Sequence, residues 1–142
     1  MSHRWIEGNI PLEAIERIAR NGRSRRKTGA QAFFLGQIRA DECRGKTVQS
    51  IEYSAYRTLA DKTFEQLIEE AKKRFDLEAV ELLHSEGEVP VGGWSLLVWV
   101  ASEHRQACFD ALRWLVDKVK EEVPIFAKEH FEEGDFQWKK NK

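Results

Sequence analysis

The sequence predicts an α+β domain built on a mainly antiparallel sheet. Runs rich in β-branched and aromatic residues recur along the chain, and segments with apolar residues at helical spacing stand among them. Their connections are short, with no regular strand–helix–strand repeat of the kind that makes a parallel array. The 142 residues suit one domain, taken as residues 1–142, because a second hydrophobic core would have too few residues to close. At 42% apolar and 33% charged, the composition supplies a core and excludes collagen-like, low-complexity and disordered chains.

Residues 11–20 repeat apolar side chains at Leu12, Ile15, Ile18 and Ala19, and Pro11 fits a first helical turn, so a short amphipathic helix is expected. Residues 21–29 place Arg23, Arg25, Arg26 and Lys27 among turn formers and read as a basic loop. Residues 30–38 read as a strand through Phe33, Phe34, Leu35 and Ile38, with Gly36 marking a bulge or a close backbone approach. After a polar stretch over 39–46, residues 48–56 return to β-favouring Ile51, Tyr53 and Tyr56. Phe64, Leu67, Ile68, Ala71 and Phe75 follow helical spacing over 59–75.

A second strand pair is expected over 79–85 and 94–101, joined by a loop holding Gly87, Pro90, Gly92 and Gly93. Ser102 is placed to cap a long helix with the stripe Cys108, Leu112, Leu115, Val116 and Val119, which Pro124 stops. The tail mixes aromatic and charged residues, and Gly134 turns it into a short strand at 136–138.

Twenty-three Lys and Arg balance 24 Asp and Glu, so whole-chain attraction to nucleic acid or membrane is not expected, and any basic site is local. The longest uncharged run, 89–102, is too short to span a bilayer and is interrupted by Pro90, Gly92 and Gly93. The charged N-terminus lacks the apolar core of a signal peptide, and a soluble cytoplasmic protein is expected. Cys43 and Cys108 make no disulfide framework or zinc spacing, and Cys108 reads as a small core residue. No P-loop, GxGxxG, GxSxG, HExxH or EF-hand pattern occurs.

Several cations are candidates for chemistry. His104 and Arg105 follow an apolar strand at the start of the long helix, where free N–H groups favour an anion; they read either as phosphate contacts or as solvated first-turn residues. Lys118 and Lys120 close that helix, where the dipole alone would favour positive charge. Lys128 follows Pro124 and neighbours Phe126, and aromatic shielding can lower an ammonium's pKa. Arg39 stands at a strand end after Gly36, either as a binding residue or as an ordinary surface arginine. The loop cations Arg23, Arg25, Arg26 and Lys27 could meet phosphates, whereas most of the five tryptophans fall in predicted elements and read as core or interface.

Taken in order, these pieces resemble the catalytic, large subunit of molybdopterin synthase, from about Gly29 to Trp138. The resemblance rests on Gly29-Ala30 leading into Phe34-Leu35-Gly36-Gln37-Ile38-Arg39, and on Ile51-Glu52-Tyr53-Ser54-Ala55-Tyr56. It continues through His84, Ser102-Glu103-His104-Arg105 with Ala107 and Phe109, Leu115-Val116-Asp117-Lys118-Val119-Lys120, and Val123-Pro124-Ile125-Phe126 followed by Lys128-Glu129. It implies an α/β-hammerhead fold and a homodimer within a heterotetramer. Each large subunit would bind a small ubiquitin-like thiocarboxylated subunit whose Gly-Gly tail enters the site.

The implied reaction carries two sulfurs to cyclic pyranopterin monophosphate, forming the molybdopterin dithiolene of the molybdenum cofactor. The large subunit needs no metal and no cofactor of its own for it. The resemblance further implies that Arg39, His104 and Arg105 bind the anionic substrate and that Lys120 is catalytic; Lys128 is taken as a second catalytic residue, tuning the field around Lys120. The chain departs from the family pattern at Ala127, where a second pocket lysine is usual, at Ser85 after His84, and at Gly93. Those departures keep a second reading open, a noncatalytic homologue that binds the small subunit. Arg105 and Lys120 lie fifteen residues apart on one expected helix, roughly 22 Å at about 1.5 Å per residue, so a shared substrate requires two chains.

Overall fold

Residues 94–102 alternate their side chains between two apolar layers, and this alternation decides the architecture. Leu96, Val98 and Val100 enter one core, while Leu97, Trp99 and Ala101 enter another on the opposite face. A strand buried on both faces needs cover on both sides, and helices supply it. The computed structural model describes residues 4–139. Its elements are β1 (Trp5–Glu7), α1 (Leu12–Arg23), β2 (Ala30–Gln37), β3 (Glu42–Cys43), β4 (Lys46–Ala55) and α2 (Arg57–Phe75). They continue with β5 (Ala79–Pro90), β6 (Trp94–Ser102), α3 (Arg105–Glu122), β7 (Ile125–Phe131) and β8 (Phe136–Trp138).

The sheet runs β2-β6-β5-β4-β7-β8, with β3 paired to β4 and β1 lying parallel to β5; every other pairing is antiparallel. The α+β class with a mainly antiparallel sheet is therefore observed. Helices α2 and α3 cover one face through Phe64, Leu67, Cys108, Ala111 and Leu115. Helix α1 covers the other with Ile18 and Ala14. A third apolar group, Ile38, Val48, Ile51, Val89 and Phe131, fills the β4–β7 end of the sheet. Strand β5 joins the two halves, its first part pairing with β6 and its last residues with β4.

Buried Arg4 fastens β1 to α2 by ion pairs to Asp61 and Glu65, and the Trp5 indole N–H donates to the same Asp61 at 2.9 Å. Cys108 is buried as expected, its thiol donating to the Val100 carbonyl at 3.4 Å.

Four expectations need correction. Helix α1 continues to Arg23, into the stretch read as loop, and ends where Ser24 Oγ donates to the Asn21 carbonyl at 2.7 Å. Strand β5 runs through Gly87 to Pro90 because it has β4 as a partner there; proline is tolerated at a strand end, where its missing N–H costs little. The reversal into β6 needs only residues 91–93, with Gly92 at φ 88 and the Gly93 N–H donating to the Pro90 carbonyl at 2.9 Å. Ser102 ends β6 and does not cap α3; its hydroxyl donates to the His104 carbonyl at 2.5 Å, and His104 takes the N-cap position without a side-chain cap. Strands β1, β3 and β7 were also not expected.

Candidate functional site

The last turn of α3 carries Lys120 over the end of β2, where the register slips between Gly36 and Gln37 and the chain turns toward Arg39. Two adjoining hollows open there and share Gly36, Tyr53, Ser95, Lys120 and Lys139. His84 and Ala127 line the inner one, and Arg39 and Glu129 the outer one. Gly36 belongs here because a side chain would crowd the wall: an added Cβ would lie 3.3 Å from the Leu96 Cβ.

Three cations, Lys120, Lys139 and Arg39, line these hollows, with the carboxylates of Asp41 and Glu129 on the outer one and His84 on the inner one. Lys120 as a residue is exposed, yet the wall around its ammonium desolvates it, and that desolvation lowers its pKa below the ordinary lysine value, assisted by the charges of Lys139 and Arg39. On the floor, His84 is buried and its Nδ1–H donates to the Ser85 carbonyl at 2.7 Å, which leaves Nε2 as an acceptor. Burial pushes His84 down to about 4, the Ser85 hydrogen bond opposes that shift, and the Lys120 charge adds to it. Its imidazole packs edge-on against the Tyr53 ring, with centroids 5.1 Å apart.

The Tyr53 hydroxyl donates to Ser95 Oγ at 3.1 Å. Burial raises the Tyr53 pKa, the Ser95 contact counters it, and the nearby Glu129 charge adds to the rise. Glu129 is itself buried and accepts from Gln137 Nε2 at 2.9 Å. Such a site can hold an anion among Lys120, Lys139 and Arg39, and a lysine whose proton is loosened can exchange it during acyl or sulfur transfer.

The fold brings Arg39 and Lys120 together and leaves the other expected site residues apart. Lys128 is on the opposite face of β7 from Ala127 and Glu129, with its ammonium 4.5 Å from the Phe136 ring centroid and 5.0 Å from that of Trp138. Strand periodicity explains this placement, because neighbours along a strand point to opposite faces. The expected pairing of Lys128 with Lys120 in one pocket is thus corrected. His104 and Arg105 stand exposed at the N-terminal end of α3, the far end from Lys120. Of the family departures, Ala127 lines the inner hollow, Ser85 turns its hydroxyl to the Gly8 carbonyl at 2.5 Å, and Gly93 sits in the β5–β6 turn.

Sequence reasoning gave no site role to Tyr53, Glu129 or Lys139, and met His84 only as a matching position. Alternation along 125–131 was the available signal for Glu129, which lies in line with Ile125, Ala127 and Phe131. Lys139 carried no local signal, since its place depends on the pairing of β8 with β7.

The family model described as MoaE protein matches residues 7–122. A curated relative from Pyrococcus abyssi, named molybdopterin synthase catalytic subunit, is 39% identical over 109 residues, covering 77% of this chain and 73% of that protein. Among solved structures, molybdopterin synthase from Staphylococcus aureus superposes with a TM-score of 0.84 at 25% identity, over 97% of this chain and 96% of that one. A second, from Helicobacter pylori and described as a protein–protein complex of subunits 1 and 2 of molybdopterin-converting factor, shares the fold at a TM-score of 0.81 and 19% identity, over 96% and 89% of the two chains. With most of its length matched by the family model and by a relative well above 30% identity, the chain belongs to the MoaE protein family.

Proposed function

We propose that this chain is the catalytic subunit of a molybdopterin synthase, a cytoplasmic sulfurtransferase folded as one domain over residues 1–142. It takes sulfur from the thiocarboxylated C-terminus of a small ubiquitin-like subunit and delivers it to cyclic pyranopterin monophosphate. The observation that carries this reading is Lys120, held in a walled pocket beside Arg39 and Lys139 with its pKa lowered, in a chain of this family.

The chemistry follows from that arrangement. The cations draw in the substrate phosphate and stabilise negative charge as it develops on the thiocarboxylate carbonyl. Once the thiocarboxylate sulfur is bonded to the pterin as an acyl thioester, water attacks the acyl carbon and the neutral fraction of Lys120 accepts that water's proton. The acyl–sulfur bond then breaks to leave a carboxylate on the small subunit and the sulfur, reprotonated by Lys120, on the pterin. Arg39 stands at the mouth, exposed and 3.3 Å from Asp41, with freedom to swing onto the phosphate. His104 and Arg105 serve the pocket of a second copy in a homodimer, since their own chain holds them at the far end of α3.

The test combines the purified chain with thiocarboxylated small subunit and cyclic pyranopterin monophosphate. Formation of the dithiolene pterin is expected. Tight binding of the small subunit with no conversion would overturn the catalytic reading.

A further inference from the structure

We infer that Lys139 is a positioning cation of this pocket, reaching it from the strand position opposite Ala127 and holding Lys120 in its reactive state. The inference rests on the function proposed above and concerns a residue beyond the 7–122 stretch that the family model matches.

The geometry is that of a β-ladder. Strands β7 and β8 pair Lys128 with Trp138, Glu129 with Gln137 and His130 with Phe136, and the ladder continues as the Lys139 N–H donates to the Ala127 carbonyl at 2.8 Å. Directly opposed residues share a face. Phe136 and Trp138 accordingly lie with Lys128 on one side, whereas Gln137 reaches Glu129 and Lys139 falls beside Ala127 on the pocket side. The Ala127 side chain is a single methyl, so the longer Lys139 side chain can cross that ground, and it lines both hollows together with Lys120. The tail after β7 therefore brings a third positive charge into a site already holding Lys120 and Arg39, where Asp41 and Glu129 supply the opposing charge on the outer hollow and Tyr53 and His84 are the other titratable groups of the wall.

Two ammonium groups facing one pocket repel each other, and the one with less access to water gives up its proton more easily. After burial, the charge of Lys139 is the largest influence lowering the Lys120 pKa, ahead of Arg39. Lys139 does not need to touch the reacting atoms. It makes Lys120 a competent proton acceptor near neutral pH and adds attraction for an anionic ligand.

The experiment uses the full chain with the thiocarboxylated small subunit and precursor, and reads turnover against pH for wild type, Lys139→Ala, Lys139→Arg and the relocated pair Lys139→Ala with Ala127→Lys. The Lys120 ammonium is titrated by NMR in each, in the absence of partner. Lys139→Ala is expected to move the rising limb of the profile and the Lys120 titration together to higher pH, with about tenfold lower turnover at neutral pH. Lys139→Arg and the relocated charge are expected to return both toward wild type. A lower rate in Lys139→Ala with the Lys120 titration unmoved would overturn the inference, as would an unchanged profile. A wild-type chain that titrates as expected but makes no dithiolene would overturn the proposed function and leave the Lys139–Lys120 coupling standing.

Discussion

At the C-terminal end of α3, Lys120 shares a walled pocket with Arg39 and Lys139, whereas at the N-terminal end His104 and Arg105 stand exposed and line neither hollow. The helix itself treats the two ends differently. Its dipole favours a cation at the last turn and opposes one at the first. Lys120 is in the favourable place, yet desolvation and two neighbouring cations work against its charge, and the result is a lysine poised to release a proton. His104 and Arg105 occupy the unfavourable place with no wall around them, an arrangement suited to an anion arriving from outside their own chain. On the proposed function, one copy would hold the reacting half of a site at one end of α3 and a binding half at the other, about 22 Å apart along the helix.

The sharpest way to break this comparison is Lys120→Ala. Loss of proton exchange is expected to cut dithiolene formation by about a hundredfold or more while the thermal melt stays near wild type, because Lys120 is not part of the buried core. Turnover near wild type would place the chemistry elsewhere.

Complementation sharpens the comparison next. If the two ends meet only across a dimer, Lys120→Ala and Arg105→Ala damage opposite contributions to each shared site. When the two variants are mixed and allowed to exchange subunits, random pairing makes half the dimers mixed, and each mixed dimer has one intact site of two. Activity should recover to about a quarter of wild type, although each variant alone is impaired. Verified mixed dimers with no recovery would remove His104 and Arg105 from the shared site, as would a fully active, verified monomer.

These two ends also show how much the sequence disclosed. Both lay on a helix legible from Cys108, Leu115 and Val119, so their separation could be read before any coordinates. Arg39 was legible because Gly36 marked the bulge that precedes it. Strand β7 was obscured because its inward row, Ile125, Ala127, Glu129 and Phe131, interrupts the apolar pattern with a buried carboxylate that Gln137 satisfies from the next strand. Placing Lys128 and Lys139 on opposite faces required that strand and its register. Strand β1 is three residues long, too short for periodicity to show. Extension of β5 past Gly87 was hidden because glycine and proline are locally turn signals, and only the partner β4 makes a strand of them.

Behind Lys120, His84 gives a pH test of the walled end. Its folded pKa is about 4 against an ordinary 6.5, so the unfolded chain binds its proton first as the pH falls. The stability this histidine contributes is complete above the unfolded value, declines as the pH drops from 6.5 toward 4, and is gone below that, a change of about 3 kcal/mol. Urea midpoints taken across this window are expected to fall more steeply for wild type than for His84→Gln. Parallel profiles would show that the site floor is wetter than the buried imidazole implies.

The smallest effect expected comes from two glycines at the ends of β2, Gly29 just before the strand and Gly36 within it, one near each end of α3. Gly29 donates its N–H to the Ser102 carbonyl at 2.9 Å, and an added Cβ would strike the backbone carbonyl oxygen of Glu103. Backbone that leads into the α3 N-cap cannot yield without moving His104, so Gly29→Ala should cost about 2 kcal/mol and weaken complementation as well. At Gly36 the added carbon would meet side-chain atoms, Leu96 Cβ at 3.3 Å and Phe34 Cε2 at 3.4 Å, which can give by a few tenths of an ångström. Alanine also narrows the unfolded ensemble, offsetting part of the crowding, so Gly36→Ala should cost less than about 1 kcal/mol. Urea denaturation of the pair measures how rigidly each end is built. Equal losses would mean that the exposed end is held no more firmly than the pocket wall, and a binding half that must meet another subunit's pocket in register could not then rely on the α3 N-cap to place it.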